Sequence, residues 1–121
     1  MKYISKIPGE LDALPFPRRV ALMGCTGSIG TSTLRVLDAW RDSGRFEVRA
    51  LAAGRNIALL AKQAEAWRPP CLAVLEKDGP HGVDALAALL PSSYRPEIVW
   101  GQEGYAALAA LDDVDMVLSA Q

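Results

Sequence analysis

The chain has 121 residues, 50% of them hydrophobic, and a formal net charge of −1, the composition of one globular domain with a modest core. Near-neutral charge argues against nucleic acid or an acidic membrane surface as partner, since both reward a strongly basic face. No apolar run approaches the roughly 18–20 residues of a membrane span, and the leader MKYISKIPGELDALPFPRR lacks the continuous apolar region of a signal peptide.

Residues 1–17 carry Pro8, Pro15 and Pro17 and no sustained periodicity, so they are expected to form an N-terminal arm, extended on the surface or loosely ordered. From Arg18 the pattern becomes regular. Val20–Met23 reads as a short buried strand, and Ser28–Trp40 as an amphipathic helix that Gly44 in DSGR would cap. Phe46–Ala53 is the second strand, and Asn56 is placed to cap the next helix, 57–67. Arg68-Pro69-Pro70 ends that helix, and CLAVLE forms a third strand. A helix at Val83–Leu90, the strand PEIVW, a helix at about Gln102–Leu111 and the strand VDMVLSA complete the order.

Strands alternating with helices in this way predict an α/β domain over residues 18–121: a Rossmann-like, doubly wound parallel sheet of about five strands with helices on both faces. In such sheets the ligand lies at the carboxyl ends of the strands. That geometry gathers the Gly24 loop, the Gly54 loop and the Ser119 end on one side. A final strand reaching Gln121 with no helix after it suggests the front domain of something longer.

The sequence RRVALMGCTGSIGTSTL sets Gly24, Gly27 and Gly30 between a strand and a helix. Gly24 permits the sharp turn, Gly27 lets the backbone approach a pyrophosphate, and Gly30 lets the helix pack closely. The N–H groups of Thr26, Gly27, Ser28 and Ile29, at the positive end of the helix, would form the anion site. No Gly-Lys-Ser/Thr follows, which excludes a Walker-type loop. A glycine-rich turn that binds nothing is the plainer alternative.

NAD sites usually place a carboxylate roughly 20 residues beyond such a loop, for the ribose 2′-hydroxyl. Here the second strand closes with Ala53-Gly54-Arg55-Asn56 and no carboxylate. Arg55 suits a 2′-phosphate through its fork of donors, and Asn56 either adds a hydrogen bond or caps its helix. The phosphorylated dinucleotide is therefore expected.

Cys25 has two readings: a thiolate favoured by the helix N-terminus, or an unreactive stand-in for serine, which is preferred. Cys25 and Cys71 stand far apart with no CxxC or Cys/His cluster, so reduced thiols in a cytoplasmic protein are expected. The single His81 reads as a plain loop residue. Of the acidic run Asp112, Asp113 and Asp115, Asp112 and Asp113 are assigned to the turn before the last strand, and the run is not read as a metal site.

GCTGSIGTSTL (24–34) followed by FEVRALAAGRNIALLAKQ (46–63) resembles the 1-deoxy-D-xylulose 5-phosphate reductoisomerases, whose pattern is GSTGSIGxxTL and then a strand ending in AGxN. LDDVDMVLSA resembles that family's acidic-then-apolar strand, and the likeness covers about residues 18–121, with Cys25 standing where serine is usual. The resemblance implies conversion of the phosphorylated sugar 1-deoxy-D-xylulose 5-phosphate to 2-C-methyl-D-erythritol 4-phosphate in non-mevalonate isoprenoid synthesis. It also implies NADPH, a divalent cation such as Mg²⁺ or Mn²⁺, and a homodimer.

By matched position, Thr26, Gly27, Ser28 and Ile29 would hold the pyrophosphate and adjacent ribose, and Gly54, Arg55 and Asn56 the adenosine 2′-phosphate end. Ser119 and Ala120 would approach the nicotinamide side. The family's catalytic and metal-binding residues are expected beyond Gln121, so no catalytic residue is assigned within the chain. Two alternatives stay open from the residues alone. One is another NADP-dependent reductase, of the semialdehyde dehydrogenase or dihydrodipicolinate reductase type; the other is a free-standing, non-catalytic NADP-binding module.

Overall fold

The computed structural model describes residues 2–3, 18–40 and 46–119. In chain order the elements are β1 (Lys2–Tyr3), β2 (Arg18–Met23), α1 (Ser28–Ala39), β3 (Phe46–Ala52), α2 (Ile57–Trp67), β4 (Cys71–Val74), α3 (Val83–Leu89), β5 (Glu97–Trp100), α4 (Gly101–Ala109) and β6 (Met116–Ser119). The expected strands and helices from Arg18 onward are present, with ends that match or differ by one or two residues: the first strand begins at Arg18 instead of Val20, and most of the others are slightly shorter. The expected Gly44 cap, Ala120 and most of the N-terminal arm fall outside the described residues.

All strands are parallel, in the order β1-β6-β2-β3-β4-β5. The sheet therefore has one strand more than the five expected. It comes from within the arm, where Lys2 and Tyr3 pair with Met116 and Val117 and cover part of the outer flank of β6.

The chain moves outward from β2 through β3 and β4 to β5, then returns across the sheet to place β6 on the other side of β2. Right-handed crossovers put the first three helices on one face and α4, which follows the reversal, on the other. The core splits accordingly. On one face Leu22, Leu51 and Leu72 of the strands meet Leu34, Leu37 and Leu60 of α1 and α2 and Leu86 of α3. On the other, the small residues Ala21, Ala50, Ala52 and Ala73 let Leu108 of α4 come close to the sheet. Strands buried on both faces read as continuous apolar runs, and Cys71–Val74 is buried at every position.

At the amino edge of the sheet, polar groups tie the ends together. Asp115 accepts hydrogen bonds from the Arg19 main-chain N–H at 2.9 Å and from its guanidinium Nε at 3.3 Å. The register of β2 on β3 slips by one residue between Val20 and Ala21, leaving Arg49 as the extra residue. Its side chain pairs with Glu47 at 2.8 Å and with Asp113. Asp112 and Asp113 occupy the turn before β6, as expected, and Asp113 and Asp115 are engaged by arginines at the edge opposite the glycine loop.

Two consequences can be measured. A Cβ on Gly30 would stand 2.1 Å from the Gly24 carbonyl oxygen and 2.7 Å from the Cys25 backbone. Gly30→Ala is therefore expected to lower unfolding stability by about 2–3 kcal/mol in urea titration. The second concerns acid. The Arg49 and Arg19 hydrogen bonds hold the Asp113 and Asp115 carboxyls below their ordinary value of 3.8. A lowered native value means that the unfolded chain takes up protons first as pH falls. Their contribution is thus complete above the ordinary carboxylate range and lost as pH drops through the native values. Urea midpoints below about pH 4 should fall less steeply in Asp115→Asn than in the unaltered protein.

Candidate functional site

The strand order reverses at β2, whose last residue, Met23, is flanked by Ala52 of β3 on one side and Ser119 of β6 on the other. A crevice opens at the carboxyl ends of strands where neighbouring connections diverge, and here it opens beside Gly24. The Gly24, Gly54 and Ser119 ends therefore do converge. Next to them lies a cavity of about 390 Å³ lined by Gly24, Gly54, Leu75, Gln102 and Tyr105.

Gly24 adopts φ 79°, a left-handed conformation suited to glycine. The N–H groups of Gly24 and Cys25 both donate to the Ala52 carbonyl, at 2.8 and 3.0 Å, which pins the loop to the end of β3. Gly30 permits a closer approach than expected: the helix sits on the loop's own backbone at Gly24 and Cys25, not only on the strand.

Gly27 differs from both. Its φ of −74° and ψ of 175° are open to any residue. A Cβ there would come no nearer than 3.8 Å to the Gly24 carbonyl oxygen. Nothing in the described residues demands glycine at this position, so the space it leaves faces outward.

Gly27 is the N-cap of α1, and no side chain caps the helix and no acidic residue lies in its first turn. The opening N–H groups of a helix have no intrahelical acceptor, so those of Ser28 and Ile29 stand at a positive end. Thr26 is half-buried, Ser28 is exposed, and Ile29 leaves 64% of its surface open beside the loop. The Thr31 hydroxyl is spent on the Gly27 and Ser28 carbonyls, each at 3.0 Å.

The second expected cluster follows β3. Asn56 caps α2, its Oδ1 accepting from the Leu59 N–H at 3.2 Å, which leaves its Nδ2 as the group a ligand could use. Arg55 is 73% exposed, and its Nε lies 3.4 Å from Glu76 Oε1. The end of β3 lacks a carboxylate in sequence, but the loop after β4 brings one into its vicinity. Glu76 follows the neighbouring strand β4, so no signal local to β3 announces it. Lys77 lies over the Trp100 ring at 5.3 Å.

Two further groups emerge only in three dimensions. The Tyr105 hydroxyl donates to the Ala53 carbonyl, linking α4 to the end of β3, and burial pushes its pKa up to about 12. Gln63 of α2 is buried and donates from Nε2 to the Cys25 carbonyl at 2.9 Å. Its position three residues after Leu60 and four before Trp67 was the available signal, a polar residue on the inward stripe of a helix.

Cys25 is fully buried, and desolvation pushes its thiol up to about 12. The thiolate reading is overturned: burial outweighs the helix end, and the residue behaves as a small hydrophobic group. Cys25 and Cys71 are both free and buried. Among the described residues no three His, Cys, Asp or Glu side chains gather as a metal-ligand set, and no helix is long and apolar enough to cross a membrane. Ser119 is exposed at the end of β6, and Ala120 lies outside the described residues.

Comparison with known proteins bears on this geometry. The family model for 1-deoxy-D-xylulose 5-phosphate reductoisomerase matches residues 20–121. The reductoisomerase of Oleidesulfovibrio alaskensis is 53% identical over 119 residues, 98% of this chain and 28% of that protein. That of Nitratidesulfovibrio vulgaris is 48% identical over 121 residues, 100% of this chain and again 28% of its own length. The chain thus spans just over a quarter of these relatives.

Among solved structures, DOX-P reductoisomerase in complex with NADPH, fosmidomycin and magnesium superposes with a TM-score of 0.76 at 26% identity, covering 86% of this chain and 24% of that one. The Zymomonas mobilis enzyme in complex with NADPH gives 0.69 at 30% identity, covering 81% and 24%. With its glycine loop, its reversed strand order and this match over most of its length, the chain belongs to the 1-deoxy-D-xylulose 5-phosphate reductoisomerase family.

Proposed function

We propose that this chain is the NADPH-binding domain of a reductoisomerase that converts 1-deoxy-D-xylulose 5-phosphate to 2-C-methyl-D-erythritol 4-phosphate with NADPH and a divalent cation, Mg²⁺ or Mn²⁺. The observation that carries the cofactor reading is Gly27: an ordinary backbone conformation and open space where a side chain would stand. Glycine there has a use if a pyrophosphate comes against the main chain. Relatives solved with NADPH bound support the same reading. The family match favours neither a semialdehyde dehydrogenase, a dihydrodipicolinate reductase nor a free-standing NADP-binding module.

NADPH, when bound, supplies the hydride. The chain's own part is to bind and orient. Main-chain N–H groups of Thr26, Ser28 and Ile29 would receive the pyrophosphate at the positive end of α1, with Gly27, whose N–H turns back to the Gly24 carbonyl at 3.4 Å, giving it room and the exposed Ile29 side chain shielding it from water. Gly54, Arg55 and Asn56 would hold the 2′-phosphate end, and Ala120, following Ser119, the nicotinamide side.

The described residues offer no set of metal ligands, so we assign the cation and the sugar phosphate to other parts of the family's length. A relative solved in complex with NADPH, fosmidomycin and magnesium supports the use of both cofactors and of a phosphorylated small molecule. A homodimeric, cytoplasmic protein completes the proposal, and two buried free thiols suit a reducing compartment.

Calorimetry tests the cofactor reading directly. Gly27→Ala is expected to leave unfolding stability within about 0.5 kcal/mol while weakening NADPH binding at least ~10-fold, about 1.4 kcal/mol. Unchanged affinity would remove Gly27 from the site. Arg55 is exposed and shares its charge with Glu76, so Arg55→Ala should cost NADPH about 1–2 kcal/mol, less than a buried charged hydrogen bond, and leave NADH unaffected. Glu76→Gln should improve NADPH affinity about 2- to 4-fold by freeing the guanidinium. Equal losses of NADPH and NADH in Arg55→Ala would refute the 2′-phosphate assignment.

A further inference from the structure

We propose that Gln63 is a positioning residue for the anion-binding loop: it fixes the plane of the Cys25–Thr26 peptide and thereby aims the Thr26 N–H at the ligand. The inference rests on the cofactor reading above and extends it to a residue in the middle of α2. Gln63 is only 9% exposed, a buried side-chain amide in the middle of a helix. Its Nε2 donates to the Cys25 carbonyl at 2.9 Å across 38 residues of sequence.

Cys25 is held on its other side as well. Its own N–H donates to the Ala52 carbonyl at 3.0 Å, and its side chain is fully buried. In a planar trans peptide the carbonyl and the following N–H point in opposite directions. With the Cys25 oxygen drawn toward α2, the Thr26 N–H is turned away from α2. The adjoining residues 27–29 are exposed and run into the uncapped start of α1.

The manner in which Gln63 is buried separates this role from a purely structural one. Its Oε1 is buried with no hydrogen-bond partner, an arrangement that costs stability. An unbranched apolar chain of the same length would fill the space without an orphaned acceptor, although the Cys25 carbonyl would lose its donor. These two changes oppose each other in the stability of the fold. They do not oppose each other in the loop, where only the carbonyl anchor matters. Gln63 also lies on the helix whose start carries Asn56 and follows Arg55, so it joins the expected 2′-phosphate end to the expected pyrophosphate end through one rigid element.

The test uses Gln63→Met, which keeps the length and shape of the side chain without its donor, and Gln63→Asn, which keeps the amide but shortens its reach. NADP⁺ and NAD⁺ binding are measured by calorimetry, with melting temperature and amide hydrogen exchange of residues 25–29 read in the absence of nucleotide. Both variants are expected to lose about 5- to 10-fold in affinity for NADP⁺ and NAD⁺ alike, since the pyrophosphate is common to both. Their melting temperatures should stay within about 4 °C of the unaltered protein, and exchange at the loop amides should rise about 10-fold.

Affinities for both nucleotides within about twofold of the unaltered protein, or loop exchange unchanged, would overturn the proposal. So would a loss confined to NADP⁺, which would place Gln63 at the 2′-phosphate end. If the unaltered protein binds neither nucleotide, the cofactor reading falls and takes this one with it. If it binds both and Gln63→Met binds them equally well, the cofactor reading stands and only the role of Gln63 is refuted.

Discussion

The carboxyl edge of this domain is organised around the seating of α1 on the turn that precedes it. The backbone of Gly30 lies so near the Gly24 carbonyl and the Cys25 main chain that no side chain fits between them. That approach fixes where the helix axis points and where its first N–H groups stand. Once α1 is seated, Gly24 must turn with positive φ, the Cys25 thiol must go inward, and residues 26–29 are left as the rim. The chemistry available at the rim is that of main-chain donors at a helix end, which suits an anion and little else.

Topology places this rim. With outward progression from β2 to β5 and a return to the far side of β2, neighbouring connections part beside Gly24. The same reversal explains the unequal covering of the sheet, with three helices on one face and α4 on the other. The alanines of the second face let α4 lie close, and Tyr105 reaches from it to the Ala53 carbonyl. One helix thereby braces the end of β3, from which the Gly54-Arg55-Asn56 turn departs.

Charge at the site is balanced rather than simply positive. Arg55 is the cation that the 2′-phosphate reading requires, yet Glu76 shares it. An exposed pair of this kind is weak, so on the proposed reading it would give way to a phosphate. At the opposite edge the acidic run is consumed by arginines: Asp113 by Arg49 and Asp115 by Arg19. These carboxylates hold the ends of the sheet together.

Much of this was legible in the chain itself. Apolar runs of strand length and helices with one apolar face determined an α/β sheet, while a glycine triplet between strand and helix and the missing carboxylate after the second strand raised the expectation of a phosphorylated dinucleotide. Each of those signals is local, carried by residues within one element or one turn. Tertiary structure alone decided the rest. Glu76 meets Arg55 from another strand, Gln63 meets Cys25 from another helix, and Lys2–Tyr3 pairs with β6 from the far end of the sequence. The fate of Cys25 was decided the same way, because the helix end that would ionise a thiol is a local feature while the burial that keeps it neutral is made by neighbours distant in sequence. Periodicity records which way a side chain faces; only the packed sheet and helices determine what it finds there.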